Sequence, residues 1–278
     1  DEKKLISTLD QLTVEDPSFK YYRDKETGQL LIQGMGELHL EIIIDRLQRE
    51  FKIGLNVGKP QVSYREGVLS SVEISECYEQ EVAGKIQKGE VKFLLEPADS
   101  QKGIAFESRF SSREVPSEIF KAIEKSVIET GPGGIELGYP IINTKVVLIG
   151  LNYIEDESTE LGFAIASANA IRKIRTLGKT VTYEPVMSLE VTVPGEFSGE
   201  VIADLNMKKG QVQSIESKNL KELVKAEVPL ASMFGYSTDL RSRTQGRASF
   251  TMSFSKYSQM AESKRRELFE KMGIIYKD

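Results

Sequence analysis

The sequence predicts an α+β chain of several domains, with two ferredoxin-like α/β sandwiches flanking a third α/β region, and two observations carry that prediction. Over residues 181–255 the apolar pattern switches between periods of two and 3.6 in the order βαββαβ, the order of a ferredoxin-like sandwich. Over residues 1–62 the same order recurs without its opening strand. A length of 278 residues, 40% of them hydrophobic, suits two or three domains with packed cores.

From the N-terminus, Leu5, Ile6, Leu9 and Leu12 recur at helical spacing, and the helix must end before Pro17. Phe19 to Gln33 reads as a hairpin turning at Asp24 to Gly28. Gly34 and Gly36 permit a tight turn, and Leu40, Ile43, Ile44, Leu47 and Phe51 then form one stripe of a helix starting near Glu37. A strand near Gly54 to Val57 completes αββαβ. Either the sequence begins one element late or this module is a permuted sandwich.

The middle region, 63–180, predicts strands near Val72 to Cys77, Val91 to Leu95 and Ile104 to Phe110. A helix over 117–129 carries Ile119, Ile123 and Val127 on one face. A strand over Thr144 to Ile149 precedes a helix from Ser158, rich in Ala164, Ala166, Ala168 and Ala170, whose small side chains allow close packing on a sheet. Gly131 to Gly134 reads as a helix-ending loop. Glu155, Asp156, Glu157 and Glu160 suit the positive end of the helix that follows.

In the last module, Met187, Leu189, Val191 and Val193 alternate as a half-buried strand. Phe197, Val201, Ile202 and Leu205 give a helix, and Gly210 is placed to take a left-handed helix terminus. Strands through Val212 and Ile215 and through Val224, Ala226 and Val228 flank a turn at Ser217 to Asn219. A helix over 231–244 leads to a strand through Ala248, Phe250, Met252 and Phe254. A C-terminal helix is expected over 258–272, with Lys264, Arg265 and Arg266 on its solvated face.

Catalytic chemistry finds no footing in these residues. His39 is the one histidine and has no cysteine or second histidine to form a metal set, so a structural role is expected. Cys77, the one cysteine, lies in a predicted strand and reads as a small buried hydrophobe. No GxSxG elbow, no GxxxxGK[ST] phosphate loop and no NKxD-type guanine-reading sequence occurs. No apolar run approaches the ~18 residues of a spanning helix, and the single cysteine suits a reducing, cytoplasmic setting. With a net charge of -5, nucleic-acid contact has to come from local basic patches.

Three stretches carry a family resemblance: GMGELHLEIIIDRLQREF from Gly34, GEVIADLNMKKG from Gly199, and MFGYSTDLRSRTQGRASFTM from Met233. Together with NVGKPQV from Asn56 they resemble elongation factor G, the ribosomal translocase GTPase, from inside its third domain to its C-terminal helix. The resemblance favours truncation over permutation at the start of the chain. It implies domain III at 1–62, an elongated domain IV of the ribosomal protein S5 domain 2-like type at 63–180, domain V at 181–255, and a C-terminal helix at 256–278.

The resemblance also implies partners: the ribosome, through its RNA and proteins, the tRNA–mRNA pair at the decoding site, and no membrane. This chain would hold no cofactor, because GTP and Mg belong to the parent's N-terminal domain. Contact candidates at the end of domain IV are Ser111 and Ser112, the loop Gly131, Pro132 and Gly133, and the loop Asn152, Tyr153 and Ile154. Gly133 to Glu136 looks like a short insertion, and Ile154 stands where many family members carry a histidine. In domain V the candidates are Lys208, Lys209, Arg241, Arg243 and Arg247, with Arg243 standing where an aliphatic residue is usual. The altered tip keeps two specialised roles open, tetracycline ribosomal protection and ribosome recycling, the latter adding ribosome recycling factor as a partner. A ligand-sensing protein of ferredoxin-like modules is the alternative from another class.

Overall fold

The computed structural model describes residues 2–24, 28–58, 60–82, 84–218 and 220–276. The chain divides into two compact units, one made of Asp1–Ser63 with Pro185–Ser255, the other of Tyr64–Glu184 with Lys256–Asp278.

The first module of the first unit contains α1 (Glu2–Glu15), β1 (Lys20–Arg23), β2 (Leu30–Gln33) and α2 (Glu37–Arg49). The hairpin is antiparallel, with Lys20 opposite Gln33 and Arg23 opposite Leu30. Lys25, Glu26 and Thr27 of its expected turn lie outside the described residues. Leu9, Leu12, Phe19, Ile43, Leu47 and Ile53 form the core. Gly34 is required by close approach, since a Cβ there would stand 2.7 Å from His39 Nδ1. The strand expected at Gly54 to Val57 does not form. That segment pairs with no described strand, and an isolated strand has nothing to satisfy its backbone groups.

In the second unit, β3 (Arg65–Val68), β4 (Val72–Val82), β5 (Lys85–Pro97), β6 (Ala105–Ser108), α3 (Ser117–Thr130), β7 (Thr144–Asn152) and α4 (Glu160–Lys173) follow in turn. The sheet order is β4-β5-β7-β6, with β6 parallel to β7 and the other pairs antiparallel. Ile119, Ile123 and Val127 of α3 and Phe163, Ala166 and Ala170 of α4 bury against Val91, Phe93 and Leu148 of the sheet. Cys77 departs from expectation: it is exposed, because the inward parity of β4 belongs to Val72 and Ile74, and Cys77 lies on the opposite parity, paired with Glu90.

The long strand β8 (Thr180–Pro194) pairs through Thr180–Tyr183 with β3 and through Val186–Pro194 with a later strand, β10. Then come α5 (Gly195–Met207), β9 (Gln211–Lys218), β10 (Lys221–Pro229), α6 (Tyr236–Arg243), β11 (Ser249–Gln259) and α7 (Glu262–Lys271). Asn219 of the β9–β10 turn lies outside the described residues. The sheet order β11-β8-β10-β9 puts the first strand inside, and α5 and α6 supply Val201, Leu205, Tyr236 and Leu240 to its core.

Three local expectations need correction. The left-handed residue after α5 is Lys209, at φ 62°, whereas Gly210 is needed because a Cβ would meet Leu205 O at 2.9 Å and Val228 Cγ2 at 3.0 Å. The helix expected over 231–244 is shorter, since a 3-10 turn at Leu230–Ser232 precedes left-handed Gly235 (φ 84°) and α6 begins only at Tyr236. The C-terminal helix starts at Glu262, because β11 continues to Gln259 and Met260 N–H donates to Thr182 O.

Candidate functional site

The strand β7 decides where the candidate residues of the second unit fall. Parallel β6 ends with Ser108 opposite Leu148, so residues 109–116 emerge toward the Asn152 end of β7, where Glu90 of β5 also lies. Ser111, Ser112, Asn152, Tyr153 and Ile154 therefore share one end. Gly131, Pro132 and Gly133 lie at the other, before β7 begins, where Ile141 N–H donates to Gly131 O at 2.9 Å. The expectation that both loops form a single tip is thus corrected: nine strand residues, about 30 Å of extended chain, separate them.

At the Asn152 end the loop is closed on itself. Ile154 N–H donates to Ser158 Oγ at 3.0 Å, Ser158 N–H returns to Ile154 O at 2.9 Å, and Thr159 Oγ caps α4 by accepting from Gly162 N–H at 3.0 Å. Asn152 Nδ2 donates to Glu90 at 3.1 Å. Glu155, Asp156 and Glu157 are exposed. The nearby ammonium of Lys88 lies 2.9 Å from Glu157 and 3.5 Å from Glu79, which hold its pKa above the ordinary lysine value. The loop thus shows carboxylates outward and keeps its neighbouring cation paired.

The opposite end is built around a buried carboxylate that sequence reasoning missed. Glu66, only 1% exposed, accepts from four backbone amides: Ile135 (3.2 Å) and Glu136 (2.6 Å) on Oε2, Leu137 (3.2 Å) and Tyr139 (2.8 Å) on Oε1. Burial pushes its carboxyl above the ordinary range, and the four amides oppose that shift without cancelling it. Gly134, at φ 70°, leaves room for Oε1, which would stand 2.4 Å from a Cβ. The apparent insertion Gly133 to Glu136 is therefore a packed loop. Its Glu136 receives Arg265 Nη2 at 2.6 Å, and the same guanidinium reaches Thr180 Oγ at 2.7 Å and Thr182 Oγ at 3.2 Å. Arg265, expected on a solvated face, is 8% exposed and fastens α7. A glutamate and an arginine within polar stretches carry no sequence signal of burial.

In the first unit, the five cations divide by partner. Lys208 Nζ donates to Asp239 at 2.8 Å, and Arg247 pairs with Glu196 while lying over the Phe197 ring. Arg243, exposed and a candidate for RNA contact, sits 3.3 Å from the buried carboxylate of Asp204. Lys209 and Arg241 are exposed, with no ion-pair partner among the described residues. His39 is structural: Nδ1 accepts from Met35 N–H at 3.1 Å, and Nε2 lies 2.7 Å from Asp16. Among the described residues no cluster of metal-binding side chains occurs, and no helix is long and apolar enough to cross a membrane.

Comparison with known proteins covers nearly the whole chain. Residues 1–59 match the model described as Elongation Factor G, domain III; residues 60–178 match Elongation factor G, domain IV; and residues 181–268 match Elongation factor G C-terminus. A crystal structure of a protein from Thermus thermophilus is similar at 34% identity with a TM-score of 0.84, over 98% of this chain and 41% of that one. The chain thus spans less than half the length of that relative.

Proposed function

Because the chain belongs to the elongation factor G family and carries its domain III, domain IV and C-terminal domain in order, we propose that it is the ribosome-engaging part of a translational GTPase that promotes tRNA–mRNA translocation. The unbroken succession of three family domains carries this reading. In it, domain III couples to a GTPase domain elsewhere in the parent, the Asn152 end of domain IV enters the decoding site, and the last module braces on ribosomal RNA through Lys209 and Arg241. The strand order β11-β8-β10-β9 supports a ferredoxin-like reading of 181–255, and the mixed β4-β5-β7-β6 sheet supports the S5 domain 2-like reading of 63–180. The mechanism is geometric and electrostatic, with GTP and Mg held by the parent's own nucleotide domain.

One observation favours a second reading, a paralogue specialised for recycling. Ile154 cannot donate or accept a side-chain hydrogen bond, and the carboxylates around it repel phosphate. The deciding experiment assays the full-length parent for single-round translocation and for subunit splitting with recycling factor, beside Ile154→His. Fast translocation with no gain from histidine supports the translocase. Slow translocation, improved by histidine and accompanied by efficient splitting, supports the recycling paralogue.

A further inference from the structure

The ladder between β5 and β7 ends where Glu90 faces Asn152, yet β5 runs on to Lys85. At Lys88 its neighbour on that side is the loop before α4. Lys88 forms a parallel bridge with Ser158, and its carbonyl accepts from Thr159 N–H at 2.9 Å. On the other side Lys88 faces Glu79 of β4.

The side chain joins the same two neighbours. Nζ donates to Glu157 Oε2 at 2.9 Å and lies 3.5 Å from Glu79 Oε2. The lysine side chain is 23% exposed against 53% for Glu157, so solvent ions screen this pair less than they screen one between two fully exposed groups. A cation held between two carboxylates is also poorly placed to reach phosphate. What it holds is a tight turn. Asp156 takes φ 66°, a left-handed conformation uncommon outside glycine, and Glu157 N–H and Ser158 N–H both donate to Ile154 O, at 3.2 and 2.9 Å. Glu157 is drawn back onto β5, which fixes where Ile154 to Asp156 stand.

We propose that Lys88 is a positioning residue for the loop of residues 152–158: its ammonium fixes the loop through Glu157 and makes no RNA contact itself. The assignment rests on the reading that the Asn152 end of domain IV enters the decoding site. It gives the loop's presentation there to a side chain of a neighbouring strand.

The test has a part without the ribosome and a part with it. In the 278-residue chain, Lys88→Met should speed amide exchange at Glu157, Ser158 and Thr159 by about fivefold or more and leave Val146 to Leu148 of β7 unchanged. Glu157→Gln, which breaks the pair from its exposed side, should speed the same amides. Added salt should speed them in the wild type and do nothing further in Lys88→Met, a response that lost packing would not give. In the full-length parent, Lys88→Met should slow single-round translocation at saturating factor by about threefold or more with ribosome affinity held within about twofold, while Lys88→Arg should keep the rate. The double variant Lys88→Met with Glu157→Gln preserves the pair's net charge and should stay slow. Unchanged exchange in Lys88→Met, full recovery of rate in the double variant, or weakened ribosome binding at an unchanged rate would overturn the proposal, the last by making Lys88 an RNA contact. A wild-type parent that does not translocate would defeat the functional reading alone, and the exchange rates would then decide the role of Lys88.

Discussion

Gly89 on β5 and Gly162 on α4 meet backbone to backbone: a Cβ on Gly89 would stand 2.3 Å from Phe163 N, and one on Gly162 would stand 2.3 Å from the Lys88 carbonyl carbon. This contact sets how closely α4 lies on the sheet. It also positions the loop before α4, since Thr159 N–H donates to Lys88 O at 2.9 Å.

Either Gly89→Ala or Gly162→Ala should therefore destabilise the second unit by about 2 kcal/mol or more, the scale of overpacking in a tight interior. Gly199→Ala should do the reverse. Gly199 lies exposed inside α5 with open space around it, so alanine should add about 0.5–1 kcal/mol through helix propensity. Denaturant unfolding of the three variants checks both signs.

Glu66→Gln should cost about 2–4 kcal/mol, because the amide nitrogen must face two of the four N–H donors that now converge on a carboxylate. The pH dependence has a defined sign. Glu66 has its folded pKa raised above 4.5, so its contribution to stability is present below that value and is lost as pH rises through the raised folded value. The stability gap between the wild type and Glu66→Gln should narrow over that window and be flat above it. Unfolding midpoints measured from pH 4 upward test this.

Arg243→Leu should lower stability by about 2 kcal/mol, by leaving the Asp204 carboxylate buried without its cation. If Arg243 served only RNA contact, its removal would leave the unfolding curve unchanged and weaken ribosome binding instead. Restoring the curve with Asp204→Asn in the same chain would confirm the pairing.

Much of this architecture was legible in apolar periodicity. Alternation through Leu189, Val191 and Val193 and the stripe Ile119, Ile123 and Val127 mark surfaces buried by any fold that uses them. What periodicity could not reveal was long-range satisfaction of polar groups. Glu66, Glu136 and Arg265 are 70 and 129 residues apart in sequence, and only the tertiary fold joins them. The same limit hid the Asp204 partner of Arg243, whereas reading Cys77 as a core residue goes against the parity that Val72 and Ile74 set in its own strand. The resemblance places Gly131 to Gly133 together with Asn152 to Ile154, although the strand expected over Thr144 to Ile149 already lies between them. The strand expected at Gly54 to Val57 failed for a related reason, since strand propensity forms no ladder where no described strand lies alongside.

The central proposal, that this chain engages the ribosome through exposed cations with no ion-pair partner among the described residues, is tested most directly by cosedimentation with ribosomes across a salt series. Wild type should bind with affinity falling steeply with salt. Lys209→Glu with Arg241→Glu should weaken binding at low salt and make the log–log slope shallower by about 1.5, the loss of two phosphate contacts, with no change in unfolding midpoint. Binding that ignores both salt and these reversals would contradict the account.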